Sequence, residues 1–338
     1  MTSPHINALP ALSNEDVLRF NKSVMLGLGL LVVLFLVGTL LLPSFATVAN
    51  LRSMLLLAAF LGLASLGQTL CALLGGIDMS IPYVIGSANI LLASLFNWGV
   101  PPAIACSIVI LAGAGVGLVN GLLSFRVQGQ ALILTLGVGF AIVGATQILT
   151  SIGSEYAGNV LGKVPDWLRN VSSIGGSTLG LPIAPVVLIW MIITATVIIV
   201  MTKTRFGRQF YAVGGNRRSA ARLQISEGFM WTSAYVASGA IAATTGVLLL
   251  GFSGGGYVGV GDPYLFTTVA AVVIGGTSLL GGWGGYGSTV VGVMVLTVLT
   301  SLLVGLGLSY AMQQAVFGLL IVPMVAFYAR SPHIRHQI

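Results

Sequence analysis

The chain has 338 residues, of which 56% are hydrophobic and only 6% charged, against the roughly 25% charged of an ordinary soluble domain. A water-facing surface cannot be built from that composition, and the 46 glycines sit inside apolar runs, which argues against a disordered or low-complexity chain. The net charge of +7 would suit a nucleic-acid partner in a soluble protein; here its placement along the chain reads as membrane topology, with no nucleic-acid partner.

Residues 1–23 are polar and form a cytoplasmic N-terminal segment. The apolar run that follows, Val24 to Leu42, exceeds the roughly 7–15 residues of a signal-peptide core and is read as a retained first span. A spanning helix needs about 20 mostly apolar residues. The sequence offers ten such stretches: 24–42, 51–74, 81–97, 102–124, 131–150, 183–201, 229–252, 265–280, 287–305 and 312–329. The third and eighth are short and bordered by glycine, so they are candidates for half-helices or re-entrant segments. The fold class is therefore all-α: a polytopic membrane protein with a single transmembrane domain over 24–329 and a short cytoplasmic tail over 330–338.

An even number of spans puts both termini on one side, and the basic residues choose the side. With the termini in the cytoplasm, Arg19, Lys22, Arg126, Lys203, Arg205, Arg208, Arg217, Arg218, Arg222, Arg330 and Arg335 face inward, and Arg52, Lys163 and Arg169 face outward. Segment 202–228 is then cytoplasmic, and 151–182 and 253–264 lie on the outer face. Asp262, in the latter, reads as a solvated residue or a contact for a delivering protein rather than as a substrate ligand.

Two glycine pairs interrupt the apolar pattern. Gly75-Gly76-Ile77-Asp78-Met79-Ser80 is echoed by Gly275-Gly276-Thr277-Ser278-Leu279-Leu280, each ending a span that runs from outside to inside, and paired interruptions of this kind point to a transport pathway. Asp78 has two readings, an N-cap that breaks the helix near the cytoplasmic interface and a direct role in the pathway. Tyr83, Asn89, Asn120, Gln130, Thr135 and Gln147 are polar residues in or beside spans. They suit hydroxyl-bearing solutes and, equally, hydrogen bonds between helices. Trp98, Trp167, Trp190, Trp231, Trp283, Tyr257, Tyr264 and Tyr310 fall mostly near span ends, as in interfacial belts.

Segment 202–228 is the one long stretch dense in charge. Gly214-Gly215 breaks the chain, Asn216 is a good N-cap, and Arg217 to Gln224 offers a short helix with Ala220, Ala221 and Leu223 on one side. Two readings stand for it: a face that docks into a protein groove, and a positive-inside anchor that only sets topology.

Three blocks carry a family resemblance. Thr204-Arg205-Phe206-Gly207-Arg208 with Tyr211-Ala212-Val213-Gly214-Gly215-Asn216 and Ala220-Ala221-Arg222-Leu223 resembles the coupling loop of the ribose/galactose/xylose-type ABC transporter permeases. Gly75 to Ser80 is similar to that family's early GGIDLS signature. Ala270 to Leu279, followed by Gly281, Gly282 and Gly284, is similar to its late one. The resemblance implies a permease working with a cytoplasmic ATPase subunit, a periplasmic or lipid-anchored binding protein and a second permease copy, in the bacterial inner membrane. It also implies that ATP and Mg are bound by the ATPase, with no cofactor in this chain. The chain departs from the family at Val143-Gly144, Leu265-Phe266-Thr267, Thr300-Ser301 and Gln224-Ile225, positions that bear on substrate and on the pairing of two copies.

Other chemistries find no support. No phosphate-loop pattern G-x-x-x-x-G-K-[ST] occurs, and Gly254, Gly256 and Gly259 fit a dinucleotide pattern without the strand that it requires. Cys71 and Cys106 stand alone in apolar stretches, and His5, His333 and His336 are all terminal, so no metal cluster, triad or disulfide framework is expected. An ion-coupled carrier would place ionisable groups near the midplane, where the predicted spans have almost none.

Overall fold

The computed structural model describes residues 14–127, 130–151, 158–162, 164–178 and 180–329. Lys163, Arg330, Arg335, the three histidines and the predicted tail 330–338 lie outside them, as do residues 1–13 of the predicted N-terminal segment. The described chain is almost entirely helical. In order it forms α1 (Asn14–Leu41), α2 (Val48–Leu73), α3 (Ile81–Asn97), α4 (Pro102–Arg126), α5 (Ala131–Ser151), a short α6 (Asp166–Ser172) and α7 (Pro185–Lys203). Then come α8 (Arg205–Gly215), α9 (Arg217–Arg222), α10 (Glu227–Ser253), α11 (Tyr264–Ile274), α12 (Tyr286–Gly305) and α13 (Tyr310–Ala329).

Seven of these helices, α1, α2, α4, α5, α7, α10 and α12, are long and apolar enough to cross a membrane. The short third span is one continuous helix of 17 residues. The eighth is not a full span: α11 stops at Ile274 after 11 residues, and the chain reaches it through β2 (Gly256–Tyr257) and a 3-10 turn over Val258–Gly261. The only sheet among the described residues is the antiparallel pair of β1 (Asn159–Val160) with β2.

α2, α10 and α12 form the buried centre, while α1, α4, α5 and α7 turn apolar side chains outward, the inverse of a soluble bundle and what lipid selects. Small residues set the closest contacts. On α4, Gly113, Gly117 and Gly121 recur every fourth position, so they share one helix face. A Cβ on any of them would run into Ala243, the Tyr235 carbonyl or the Thr232 backbone of α10, and in lipid such backbone-to-backbone packing replaces the hydrophobic drive of water.

Trp190 and Trp231 depart from the interfacial expectation. Both are buried, and their indole N–H groups donate to Tyr286 Oη at 2.9 Å and Ser124 Oγ at 2.8 Å, since a buried indole needs an acceptor. Trp98 is exposed at the end of α3, as a belt residue would be.

Segment 253–264, expected as an outer loop, runs down the side of α3 instead. A Cβ on Gly256 would meet Ala93 and Ile90, one on Gly86 the Val258 carbonyl, and one on Gly261 the Pro82 carbonyl. From Ala93 to Pro82 the segment therefore follows α3 for about 16 Å at 1.5 Å per residue. Only a strand nearly free of side chains fits so close to a helix, and five of the eight residues from Gly254 to Gly261 are glycine.

Candidate coupling hairpin and transport pathway

The first break follows α2. Gly75 adopts φ +80°, a conformation without penalty only for glycine, and the N–H groups of Gly75 and Gly76 return to the carbonyls of Ala72 and Cys71 at 2.8 and 2.9 Å, which satisfies the orphan carbonyls of the helix end. The second follows α11 in the same geometry. Gly276 has φ +82°, and Gly276 and Thr277 donate to the carbonyls of Val273 and Val272 at 2.9 and 3.0 Å. The echo read from the sequence is thus a structural one, displaced by one residue: Gly75 corresponds to Gly276, not to Gly275. Gly275 has a different task, since a Cβ there would strike the Ser288 carbonyl of α12.

Asp78 fastens the first break. Its Oδ1 accepts from the Ser80 amide at 3.0 Å and the Ser80 hydroxyl at 2.6 Å, and its Oδ2 accepts from Ser238 of α10 at 2.7 Å. Asn120 of α4 donates to Ser80 Oγ at 2.8 Å, and Met79 N–H donates to Thr135 of α5 at 2.9 Å. Two expectations are corrected here. Asp78 serves the residue before α3 rather than a helical N–H, so it is not an N-cap. Nor is it at the interface: it is 1% exposed and level with Ser238, about 16 Å along α10 from Glu227. A buried carboxylate is tolerated when hydrogen bonds take its lone pairs, and hydroxyls from both sides do so here.

Thr277 plays the corresponding part in the second break without charge. Its hydroxyl lies 3.2 Å from both the amide and the carbonyl of Gly285, 3.1 Å from Ser288 Oγ and 3.3 Å from Thr289 Oγ1; Thr69 of α2 is hydrogen-bonded to Thr289 at 3.0 Å. Ser278 is partly exposed, its amide bonded to the Trp283 carbonyl and its Oγ accepting from Leu280 N–H. Asn89, a pathway candidate, is engaged in a packing contact by both ends of its amide. It donates to the Gly246 carbonyl at 3.2 Å and accepts from Tyr257 N–H at 2.8 Å, which pins segment 253–264 between α3 and α10.

The charged segment is a helical hairpin, α8–α9, seated on both breaks. Gly282 N–H donates to the Leu73 carbonyl at 2.8 Å, which joins break to break, and Gly214 lies against the same carbonyl with no room for a Cβ. Tyr211 donates to the Gly284 carbonyl at 2.8 Å; burial pushes its phenol up, so it remains a donor. Arg217 reaches the Leu74 carbonyl at 3.3 Å, pairs with Glu227 at 3.2 Å and lies 4.7 Å over the Trp231 ring, a half-exposed cation held by three kinds of partner. Asn216 caps α9, as expected, by accepting from Ser219 N–H at 3.0 Å.

The small-residue face of α9 is split. Ala220 is buried, 1% exposed, among Cys71, Leu73, Val213 and Trp231, so it faces this chain's own core and cannot share a docking side with the others. Ala221 and Leu223 are exposed, together with Gly215, Arg218 and Arg222. A six-residue helix exposes little more than half its circumference, and consecutive residues lie about 100° apart, so the division between residues 220 and 221 is invisible to composition. Glu227 and Ser238 carry contacts that the sequence did not single out, and Trp231 and Tyr211, noted there as a belt aromatic and as part of the loop motif, make contacts that the sequence did not show. Glu227 had a signal, as the one acidic residue in the basic segment; Ser238 had none.

Comparison with known proteins gives the family. The family described as branched-chain amino acid transport system / permease component matches residues 50–325. The probable ABC transporter permease protein YphD of Escherichia coli K12 is 35% identical over 301 residues, 88% of each chain. The ribose import permease protein RbsC of Bacillus subtilis 168 is 30% identical over 298 residues, 86% of this chain and 88% of its own. The autoinducer 2 import system permease protein LsrD of Yersinia enterocolitica is 29% identical over 278 residues, 82% of each. No solved structure matches. With a match over most of its length and helices that only a bilayer would solvate, the chain belongs to the branched-chain amino acid transport system / permease component family, as a multi-pass ABC transporter permease of the bacterial inner membrane.

Proposed function

We propose that the chain translocates a monosaccharide or sugar-like solute inward by alternating access, with two permease copies, two cytoplasmic ATPases and an external binding protein. The observation that carries this reading is the seat of α8–α9. Any force on the hairpin passes through Gly214, Tyr211 and Arg217 into the backbone at Leu73, Leu74 and Gly284, where the two helix breaks meet, so closure of an ATPase would move the pathway by rigid contact. The solute class rests on the ribose and autoinducer-2 importers among the relatives and on the hydroxyl and amide side chains near the breaks. ATP and Mg belong to the partner ATPase in this scheme, and the chain itself holds no cofactor.

The docking face comprises Arg218, Ala221, Arg222 and Leu223. Ala221→Glu and Leu223→Asp are expected to abolish co-purification of the ATPase while the permease still inserts and elutes as a single species. Ala220→Glu is expected to act differently, by destabilising the permease itself. Full ATPase binding and full uptake in both outer-face variants would end the reading. Stimulation of the assembled complex's ATP hydrolysis by liganded binding protein, with D-ribose as probe, tests the transport cycle.

A further inference from the structure

The descent of segment 253–264 places a carboxylate where none was expected. Gly261 packs on Pro82, near the start of α3, so Asp262 lies roughly 22 Å from the end of α3 that carries Trp98. From there α11 runs on for 11 residues to the break at Gly275–Gly276, about another 16 Å. Asp262 is thus near the middle of the membrane and yet exposed. It has no ion pair among the described residues, and α3, α5, α11 and α13 contain no Lys or Arg. A charge facing lipid at that depth is costly even on the most lenient scale, and such groups face water-filled cavities instead.

The neighbours of Asp262 suit a solute better than a lipid tail. The carboxylate is within electrostatic reach of the phenols of Tyr83 on α3 and Tyr310 on α13, and the Gln314 side chain lies beside that of Tyr310. Tyr83 stacks obliquely on Phe140 of α5, with ring centroids 5.0 Å apart; Phe140 and Tyr310 are more than half exposed. We propose that Asp262, Tyr83, Phe140, Tyr310 and Gln314 form a water-filled station of the transport pathway at mid-membrane depth, which takes a neutral, polyhydroxylated solute. The carboxylate and the Gln314 amide accept and donate to hydroxyls, the rings cover an apolar sugar face, and the unbalanced negative charge repels anionic solutes. Irregular backbone at this depth is tolerated where it lines a cavity, and a half-helix ending there is the arrangement that puts solute sites at the midplane. The assignment of a solute rests on the functional reading above; the aqueous exposure of Asp262 does not.

The test uses the full transporter in membrane vesicles, with Cys71→Ala and Cys106→Ala as background. Asp262→Cys should react with a water-soluble cationic methanethiosulfonate in right-side-out or inside-out vesicles at within about tenfold of the rate at Trp167→Cys on α6. Leu111→Cys, exposed on the middle of α4, should not react. With Asp262 intact, Tyr310→Cys should react about tenfold faster with the cationic reagent than with its sulfonate analogue, and Asp262→Asn should erase that preference. If the Asp262→Cys variant is as inert as the Leu111→Cys variant from both sides, the face is covered by lipid or by a second copy and the proposal falls. ATP-dependent D-ribose uptake by the unsubstituted complex tests the functional reading separately. Where that uptake occurs, Asp262→Asn should lower it at least tenfold in protein that elutes normally with its ATPase, as expected on losing a charged hydrogen-bond partner; full uptake would remove Asp262 as a solute contact.

Discussion

At the end of α2 the chain turns on Gly75 at φ +80°, and at the end of α11 on Gly276 at φ +82°. Each turn returns two amides to the last helical carbonyls, and each hands the chain to a helix running the other way. Beyond that shared backbone step they differ. The first break is held by a buried carboxylate that gathers hydroxyls from its own segment and from α10, with α4 and α5 tied in through Ser80 and Thr135. The second is held by a neutral threonine hydroxyl inside a glycine-rich loop, with its bonds confined to α11–α12 and a relay to α2. A charge in a dry interior must be met by several donors or abandoned, so Asp78 knits distant helices together. Thr277 has only to close its own turn. The first break is accordingly tied to more of the surrounding helices than the second, and the hairpin touches both.

Replacing Asp78 is the most damaging change that this comparison predicts. Asp78→Ala leaves the Ser80 and Ser238 hydroxyls without their acceptor and should cost about 3–5 kcal/mol, read as loss of folded, monodisperse protein in detergent. Asp78→Asn should fall in between. Next is Gly214→Ala, which drives a methyl into the Leu73 carbonyl. About 1–3 kcal/mol is expected for such overpacking, with uptake reduced more than insertion, whereas Gly215→Ala, with nothing within 4 Å of its Cβ, should be silent in both assays. Equal effects at 214 and 215 would contradict the seating of the hairpin.

Thr277→Val should cost about 1–2 kcal/mol in thermal stability, since it removes one neutral hydroxyl and spares every cross-helix bond made by Asp78. A loss as large as that of Asp78→Ala would erase the contrast between the two breaks. Of the same order are Gly75→Ala and Gly276→Ala. Each forces an L residue into the left-handed region for roughly 1–2 kcal/mol, so the two should match unless the 3.0 Å approach of a Gly75 Cβ to the Leu280 carbonyl adds to the first. Paired melting curves of the two variants measure that difference.

Much of the architecture was legible in the sequence because membrane insertion is governed by local quantities. Helix length and apolarity along a window of about 20 residues locate spans, and nine of the ten predicted stretches coincide with single helices. The charged segment 202–228 stood out for the same reason. The exception, 265–280, is marked as a half-helix candidate by its shortness and bordering glycines, but a hydrophobic window reports only what lipid accepts, and it cannot say that the helix stops at Ile274 or that the residues before Tyr264 run along α3. Asp262 was placed outside on that account. The glycines of 254–261 were visible, yet their use depends on Gly86 across the gap, more than a hundred and fifty positions away in the chain.

The sequence by itself therefore determined the medium in which this protein lives, the rough position of most of its membrane stretches, the basic segment and the glycine interruptions. All of these follow from side-chain transfer energies and from the conformational freedom of single residues. Only the tertiary structure decided that the Leu73 carbonyl receives Gly282 while lying against Gly214, that Ala220 looks inward and Ala221 outward, and that Asp78 is shared among helices while Asp262 stands exposed beside the start of α3. Those are contacts between residues far apart in the chain, set by which glycine faces lie close enough for backbones to touch, and no local window contains both partners.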